Sequence, residues 1–237
     1  MLAKKPAAER FLRGLAKAGA FRAASATLAG MKRFDSTRDA SALRELMGAG
    51  SQDYFDSWLR FGDLASDWAE RTDLFSAPRP AAAIDVLFLD AIHVLRAGFI
   101  QPSARAVDIG AGVGAPAIPL ALALPQTRWK LVEPRRRRVV FLRTAVGALG
   151  LRDRVVVEEG RLEKGKGGLG DFDVAVSRAT FALDEWVTLG ADLAPTVIGF
   201  VGKHGIPEDA GLPEASSEVH YETLDRSASR AALCYRP

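Results

Sequence analysis

From Arg105 onward the sequence alternates short apolar runs with longer stretches of helical spacing, and this alternation limits the fold more than any other feature. The runs are ARAVDIG, TRWKLVE, RVVVEEG, DFDVAVS and TVIGFVGK. Between them, residues 116–124, 136–149 and 183–194 repeat apolar positions at the period of an α-helix. Strands separated by helices pair in parallel through right-handed crossovers, so five such units predict a doubly wound α/β sheet. Two further runs, SEVHYETL and RAALCYRP, lie close enough together to pair antiparallel. The expected sheet is therefore mostly parallel, with an antiparallel C-terminal strand. GKGGLG at 165–170 reads as a flexible loop before a strand.

Ahead of Arg105 the texture changes. Ala, Leu and charged residues dominate residues 11–96, with Gly48, Gly50 and the Pro78/Pro80 pair as punctuation, which predicts several helices. Three regions are expected: a basic N-terminal arm, helical or partly flexible, over 1–50; a helical subdomain packed on the core over 51–100; and the ligand-binding α/β domain over 101–237. The stretch AAAIDVLFLDAIHVLRAGFI at 81–100 is interrupted by Asp85, Asp90, His93 and Arg96, whereas a membrane span needs about 20 apolar residues. Its Ile84, Leu87, Ala91 and Leu95 stand at helical spacing and predict an amphipathic helix packed along one face.

The net charge of +3 conceals an asymmetry: residues 1–33 carry +7 and the remainder −4. A basic arm suits a polyanion, and an organelle-targeting peptide shares the same composition. No apolar signal core is present, so a cytoplasmic protein with no membrane partner is expected. The one cysteine, Cys234, excludes an internal disulfide and a multi-cysteine metal site. It reads as a small buried apolar residue in a terminal strand. His93, His204 and His220 are scattered without ligand spacing, and no metal is expected.

Strand AVDIG runs directly into GAGVGAP, placing Asp108, Gly110, Gly112 and Gly114 in a D-x-G-x-G-x-G pattern, with Pro116 as a helix start. Glycines let the backbone turn tightly and approach a ligand with no Cβ in the way. The same residues satisfy the dinucleotide fingerprint, so a nicotinamide enzyme is one reading. With Asp108 the pattern resembles that of S-adenosylmethionine (AdoMet) methyltransferases, and a carboxylate also suits a cationic ligand. Glu133 ends the next strand, 19 residues beyond Gly114, where an acid accepts hydrogen bonds from the two ribose hydroxyls of an adenosine. Glu133 is equally placed to cap the helix led by Arg135, Arg136, Arg137 and Arg138, whose charge opposes the helix dipole.

In DIGAGVGAPAIPLAL, LVEPRRRRVVFLRTAVGALGL, the RLE at 161–163, FDVAVSRA and the GK at 202–203, taken in this order, the chain resembles the bacterial 16S ribosomal RNA guanine-N7 methyltransferase family, once called glucose-inhibited division protein B. The resemblance covers roughly residues 54–236. The family's Trp-Asn pair appears here as Trp68-Ala69, its Asn-Leu-Thr as Asp73-Leu74-Phe75, and Ala117 replaces a common glycine. The resemblance implies a Rossmann-like AdoMet methyltransferase sheet with a helical N-terminal extension, AdoMet as cofactor, and ribosomal RNA or the small subunit as partner. It places Asp108, Gly110, Ala111, Gly112, Gly114, Pro116, Glu133, Pro134, Arg161, Leu162, Glu163 and Ser177 at the cofactor.

For the substrate the same resemblance implies Arg178 as the positioning residue at the target base, with Lys203 and His204 ending the following strand. At 100° per residue, Val139, Leu142, Val146 and Leu149 form an apolar stripe that leaves Arg136, Arg137 and Arg143 pointing away, toward RNA phosphate. Arg135 and Arg138 fall at its margins. Arg178 also fits a salt bridge to a nearby acid. Guanine N7 has a lone pair and no proton to lose, so the chemistry asks for alignment and no general base. Two other readings stay open: an AdoMet-dependent N-methyltransferase of a small nitrogen heterocycle, and a non-catalytic RNA-binding or ribosome-assembly protein on the same fold.

Overall fold

Central strands of a doubly wound sheet are covered on both faces, so their sequences run nearly continuously apolar. That is the burial found in β1 (Arg105–Ile109) and β4 (Val174–Ser177), where every residue but Arg105 is buried. The computed structural model describes residues 32–48, 52–77, 80–162, 172–202 and 213–236. Residues 33–237 form one compact unit. The other strands are β2 (Arg128–Glu133), β3 (Val155–Glu159), β5 (Thr196–Val201), β6 (Ser217–Glu222) and β7 (Ser229–Tyr235).

The sheet order is β3-β2-β1-β4-β5-β7-β6. Strands β1 to β5 are parallel, and β7 inserts antiparallel to both β5 and β6. The five expected units and the antiparallel terminal strand are thus found. The direction of winding reverses between β1 and β4, and the crevice outside the carboxyl ends of strands at such a switch point is where this architecture holds ligands. The Ser177 hydroxyl donates to the Ile109 carbonyl at 2.8 Å, tying the two strand ends together there.

Alternate residues of each strand enter two cores. Ala106, Leu131, Val176 and Ile198 face helices α1 (Ser36–Met47), α2 (Gln52–Ala69), α5 (Ala117–Ala123) and α6 (Arg136–Ala148). Val107, Ile109, Val132 and Val197 face α7 (Leu183–Ala191) through Trp186 and Val187. Within the region expected to be a basic arm, α1 is packed into the core with Leu43 fully buried, and Asp35 caps it by accepting from the amides of Thr37 and Arg38. Residues 1–31, and with them most of the basic arm, lie outside the described residues, as does the GKGGLG loop.

The segment read as a one-faced amphipathic helix is different. It comprises α3 (Pro80–Ile84), a π-helical turn (Asp85–Leu89) and α4 (Asp90–Arg96), and Ile84, Asp85, Leu87, Phe88, Leu89, Asp90, Ala91, Ile92 and Val94 are all buried. Leu95, assigned to the buried stripe, is only half-buried. The cause is enclosure from two sides. Phe88 packs against Phe34, Trp58 and Phe61 at ring-centroid distances of 5.5, 5.3 and 6.0 Å, while β6 and β7 close over the other side. Trp58 is fixed in turn by its indole N–H, which donates to the Pro119 carbonyl at 3.0 Å. A second adjustment concerns α6, where Phe141 and Ala145 are buried besides Val139, Leu142 and Val146, and Leu149 is half-buried. Helix α2 supplies this additional contact, with Trp68 lying 5.6 Å from Phe141.

Candidate active site

The carboxyl edge of β1 and β2 is built around the glycine loop. The amides of Gly110 and Ala111 both donate to Val132 O, at 2.8 and 3.1 Å, which continues the pairing of β1 with β2 into the turn. Gly110 has φ 79°, and Thr180 fills the space where its Cβ would stand. Gly114 has φ 83°; a Cβ there would lie 2.5 Å from Ile118 Cδ1 and 2.9 Å from Leu142 Cδ2. The loop is thus pressed between the β4 end and the α5/α6 pair. Pro116 caps the start of α5, one residue before the helical run.

Glu133 is 2% exposed and accepts two amides, Gly112 N on Oε2 and Arg135 N on Oε1, each at 2.9 Å. Arg135 is the N-cap residue of α6 and provides no side-chain cap. Glu133 thus offsets the arginine-led helix start, as one of its readings expected, and the same carboxylate sits against the glycine loop. Each oxygen has a second lone pair for a further donor such as a ribose hydroxyl.

Asp108 is fully enclosed, and its Oδ2 is buried without a hydrogen-bond partner among the described residues. Burial pushes its carboxyl up to about 7; the Arg178 charge pulls it down and the Glu133 charge raises it. A buried carboxylate oxygen whose lone pairs accept no hydrogen bond calls for a donor or a cation brought by a ligand. The expected cofactor fits these residues: Asp108 suits its cationic end, Gly112 leaves no Cβ in its way, and Glu133 suits its ribose. Ala111 and Pro134 flank these groups, while Arg161 and Leu162 follow β3 on the same edge of the sheet, one strand further out. Glu163, Lys203 and His204 lie outside the described residues.

Beyond β4 and β5 the edge opens into a cavity of about 320 Å³, walled by Val86, Asp90, Arg178, Ala179, Phe200 and Arg230 among others. Arg178 lines this cavity and makes the salt bridge to an acid that was its other reading. Its Nη1 donates to Asp90 Oδ2 at 2.8 Å and to Val86 O at 2.7 Å. Asp90 Oδ1 accepts from the Tyr221 hydroxyl at 2.8 Å and from Arg230 Nη1 at 3.3 Å. Arg230 Nη1 also donates to Asp85 O at 3.1 Å. The π turn matters here, because it supplies the Asp85 and Val86 carbonyls that accept from the two guanidiniums. Ala179 completes the wall at φ 54°, a conformation uncommon for a residue with a Cβ.

Neighbouring groups respond to this environment. Burial raises the Asp85 carboxyl, opposed by the Leu224 amide that donates to it at 2.9 Å and by Arg230. Burial raises the Tyr221 phenol well above its ordinary value, and the charge of Asp90 adds to this. His93 stacks on Tyr221 at 4.0 Å, and burial followed by the charge of Arg96 lowers its affinity for a proton. Reading from the sequence did not assign Asp85, Asp90, Tyr221 or Arg230 to the site. Two carboxylates inside an otherwise apolar helix were the available signal, since buried acids need cationic or donor partners.

The arginine run stands apart from that network. Arg135, Arg136, Arg137 and Arg143 are exposed, and Arg138 is half-buried beside Gly112. No ion-pair partner of Arg136 or Arg137 exists among the described residues. Arg143 points outward as expected and also donates to Val157 O at 3.3 Å.

The family model described as rRNA small subunit methyltransferase G matches residues 56–201, more than half of the chain. The chain belongs to this family. The ribosomal RNA small subunit methyltransferase G of Nitrosomonas europaea is 33% identical over 173 residues, which cover 70% of this chain and 77% of that protein. The family member of Methylococcus capsulatus is 32% identical over 174 residues, covering 72% of this chain and 82% of that one. That of Mycobacterium leprae is 48% identical over 91 residues, but the match covers 38% of this chain and 36% of that protein, so the chain spans about a third of that relative's length. Two SAM-dependent methyltransferases solved in complex with S-adenosyl-L-homocysteine share the fold at 10% identity. The one from Thiobacillus denitrificans has a TM-score of 0.52, covering 71% of this chain and 96% of that one. The one from Geobacter sulfurreducens has 0.50, covering 64% and 92%. Among the described residues of this family member, no helix is long and apolar enough to cross a membrane.

Proposed function

We infer that this protein methylates N7 of a guanine in 16S ribosomal RNA, in the cytoplasm, with AdoMet as the donor. One observation carries the donor assignment: the enclosed Asp108 oxygen that lacks a partner beside the glycine loop and Glu133. Family membership supports the substrate, and so do the exposed arginines, because unpaired guanidiniums beside the crevice suit RNA phosphates. AdoMet, when bound, supplies an electrophilic methyl group on a sulfonium. Asp108 would hold the positive end of the donor and Glu133 its ribose, and Gly112, with no Cβ, would allow its close approach. The cavity at the ends of β4 and β5 would receive the target base.

N7 attacks with its own lone pair, so no side chain has to remove a proton. The cavity agrees with this, because its carboxylate, Asp90, already accepts from Arg178, Arg230 and Tyr221 and has no role left as a base.

Small subunits and naked 16S RNA incubated with methyl-labelled AdoMet, then digested to nucleosides, are expected to place the label in 7-methylguanosine. Label in another nucleoside, or none, refutes the reading. Replacing Arg136 and Arg137 together by Ala is expected to flatten the salt dependence of RNA binding by about 1.4 to 1.8 in log–log slope. The affinity for AdoMet, read by calorimetry, should stay unchanged.

A further inference from the structure

The cavity contains two guanidiniums, and their placement separates its ligand from the phosphates met by the arginine run. Arg178 and Arg230 come from β4's end and from β7, and one buried carboxylate joins them. Asp90 takes Arg178 on Oδ2 and Arg230 on Oδ1, and the Tyr221 hydroxyl holds the second oxygen. In both arginines these bonds, and those to the Val86 and Asp85 carbonyls, use Nη1. Among the described residues nothing takes the Nε–H or the Nη2 hydrogens of either fork, which leaves them to a ligand.

Charge and shape decide which ligand. Asp90 pairs with both arginines, Asp85 lies within electrostatic reach of Arg230, and Asp108 within reach of Arg178, so acids surround the two positive charges. The cavity thus offers directed donors without surplus positive charge, whereas the exposed Arg136 and Arg137 offer surplus charge without a pocket. Val86 and Phe200 provide apolar walls, and about 320 Å³ falls at the small end of ligand pockets, which run from about 300 to 1,000 Å³. A flat, uncharged ring with a carbonyl acceptor on its edge matches these features better than a phosphate.

We propose that Arg178 and Arg230, aligned by Asp90 and the π turn, form a paired donor site for the carbonyl edge of the target base, with Arg230 as a further substrate contact and Asp90 as a positioning residue. This rests on the guanine-N7 reading above. It also refines that reading: a fork gripping both O6 and N7 would occupy the lone pair that must attack, so the donors address O6 and leave N7 open.

The test uses the full chain, small subunits and labelled AdoMet. Arg230→Gln is expected to lower kcat/KM for the subunit about 10- to 100-fold. The dissociation constant for AdoMet and the salt dependence of the subunit's KM should match wild type. Arg230→Lys keeps the charge but lacks the fork, so its loss should be nearly as large; it also carries the test should Arg230→Gln melt below the assay temperature. Asp90→Asn is expected to lower kcat while leaving KM for AdoMet unchanged, a split that a purely structural role would not give. Full activity in Arg230→Gln, restoration by Arg230→Lys, or a flatter salt dependence in either variant overturns the inference. A wild-type protein that labels no guanine removes the functional reading itself, whereas a labelled wild type with an unaffected Arg230→Gln removes this inference alone.

Discussion

Asp108→Asn is expected to weaken AdoMet binding about 10- to 100-fold at pH 8, the scale of a lost hydrogen bond to a charged group. The wild-type carboxyl titrates at about 7, so its affinity for a cationic donor should fall as the pH drops below that point. The variant has nothing to titrate there and should bind with little pH dependence. Stability should change in the opposite sense. The folded-state value of about 7 lies above the ordinary 3.8, so between these pH values the folded protein holds more protons than the unfolded chain. Stability contributed by this group therefore falls as pH rises from about 4 to about 7, by up to about 4 kcal/mol. Asp108→Asn removes that fall and should melt higher than wild type at pH 8 while binding AdoMet worse. Calorimetric titrations and melting curves between pH 5.5 and 8.5 read both quantities. Equal affinity at pH 8 would show that Asp108 does not face the donor.

The second large effect is on folding. Gly114→Ala places a methyl 2.5 Å from Ile118 Cδ1 and 2.9 Å from Leu142 Cδ2, at a φ of 83° that a side chain resists. Backbone strain of about 1–2 kcal/mol and overpacking of about 1–3 kcal/mol combine to about 2–5 kcal/mol. For a chain of this size that lowers Tm by roughly 5–15 °C. An unchanged Tm would mean that α5 and α6 do not press on the loop in this way.

How much of this was legible beforehand depended on whether the signal was local. The five apolar runs became β1 to β5, and the helix expected over 136–149 is Arg136–Ala148, because period and turn chemistry act over a few residues. That Asp108, the glycine loop and Glu133 meet at one edge of the sheet was readable for the same reason, since the loop and the next strand end lie close in sequence. The cavity was not. Its Asp90 meets partners 88, 131 and 140 residues away, and no local pattern names a partner at such a distance. Periodicity also misjudged 81–100, where Asp85 and Asp90 were counted as polar interruptions of a helix. In the structure they are buried acids held by the Leu224 amide, Arg178, Arg230 and Tyr221. The same limit applies to Phe141, which the 100° stripe left outside the core and which Trp68 of α2 buries.

The insertion of β7 between β5 and β6 has a temporal consequence. The crevice around Glu133 assembles from β1, β2 and the glycine loop and α5 that join them, whereas the cavity wall has to bring Asp90 and Arg230 together across 140 residues. Contact order alone therefore expects the crevice to take shape before the cavity closes. On the proposed roles, a chain halted before β7 docks would bind its donor while still unable to seat the target base.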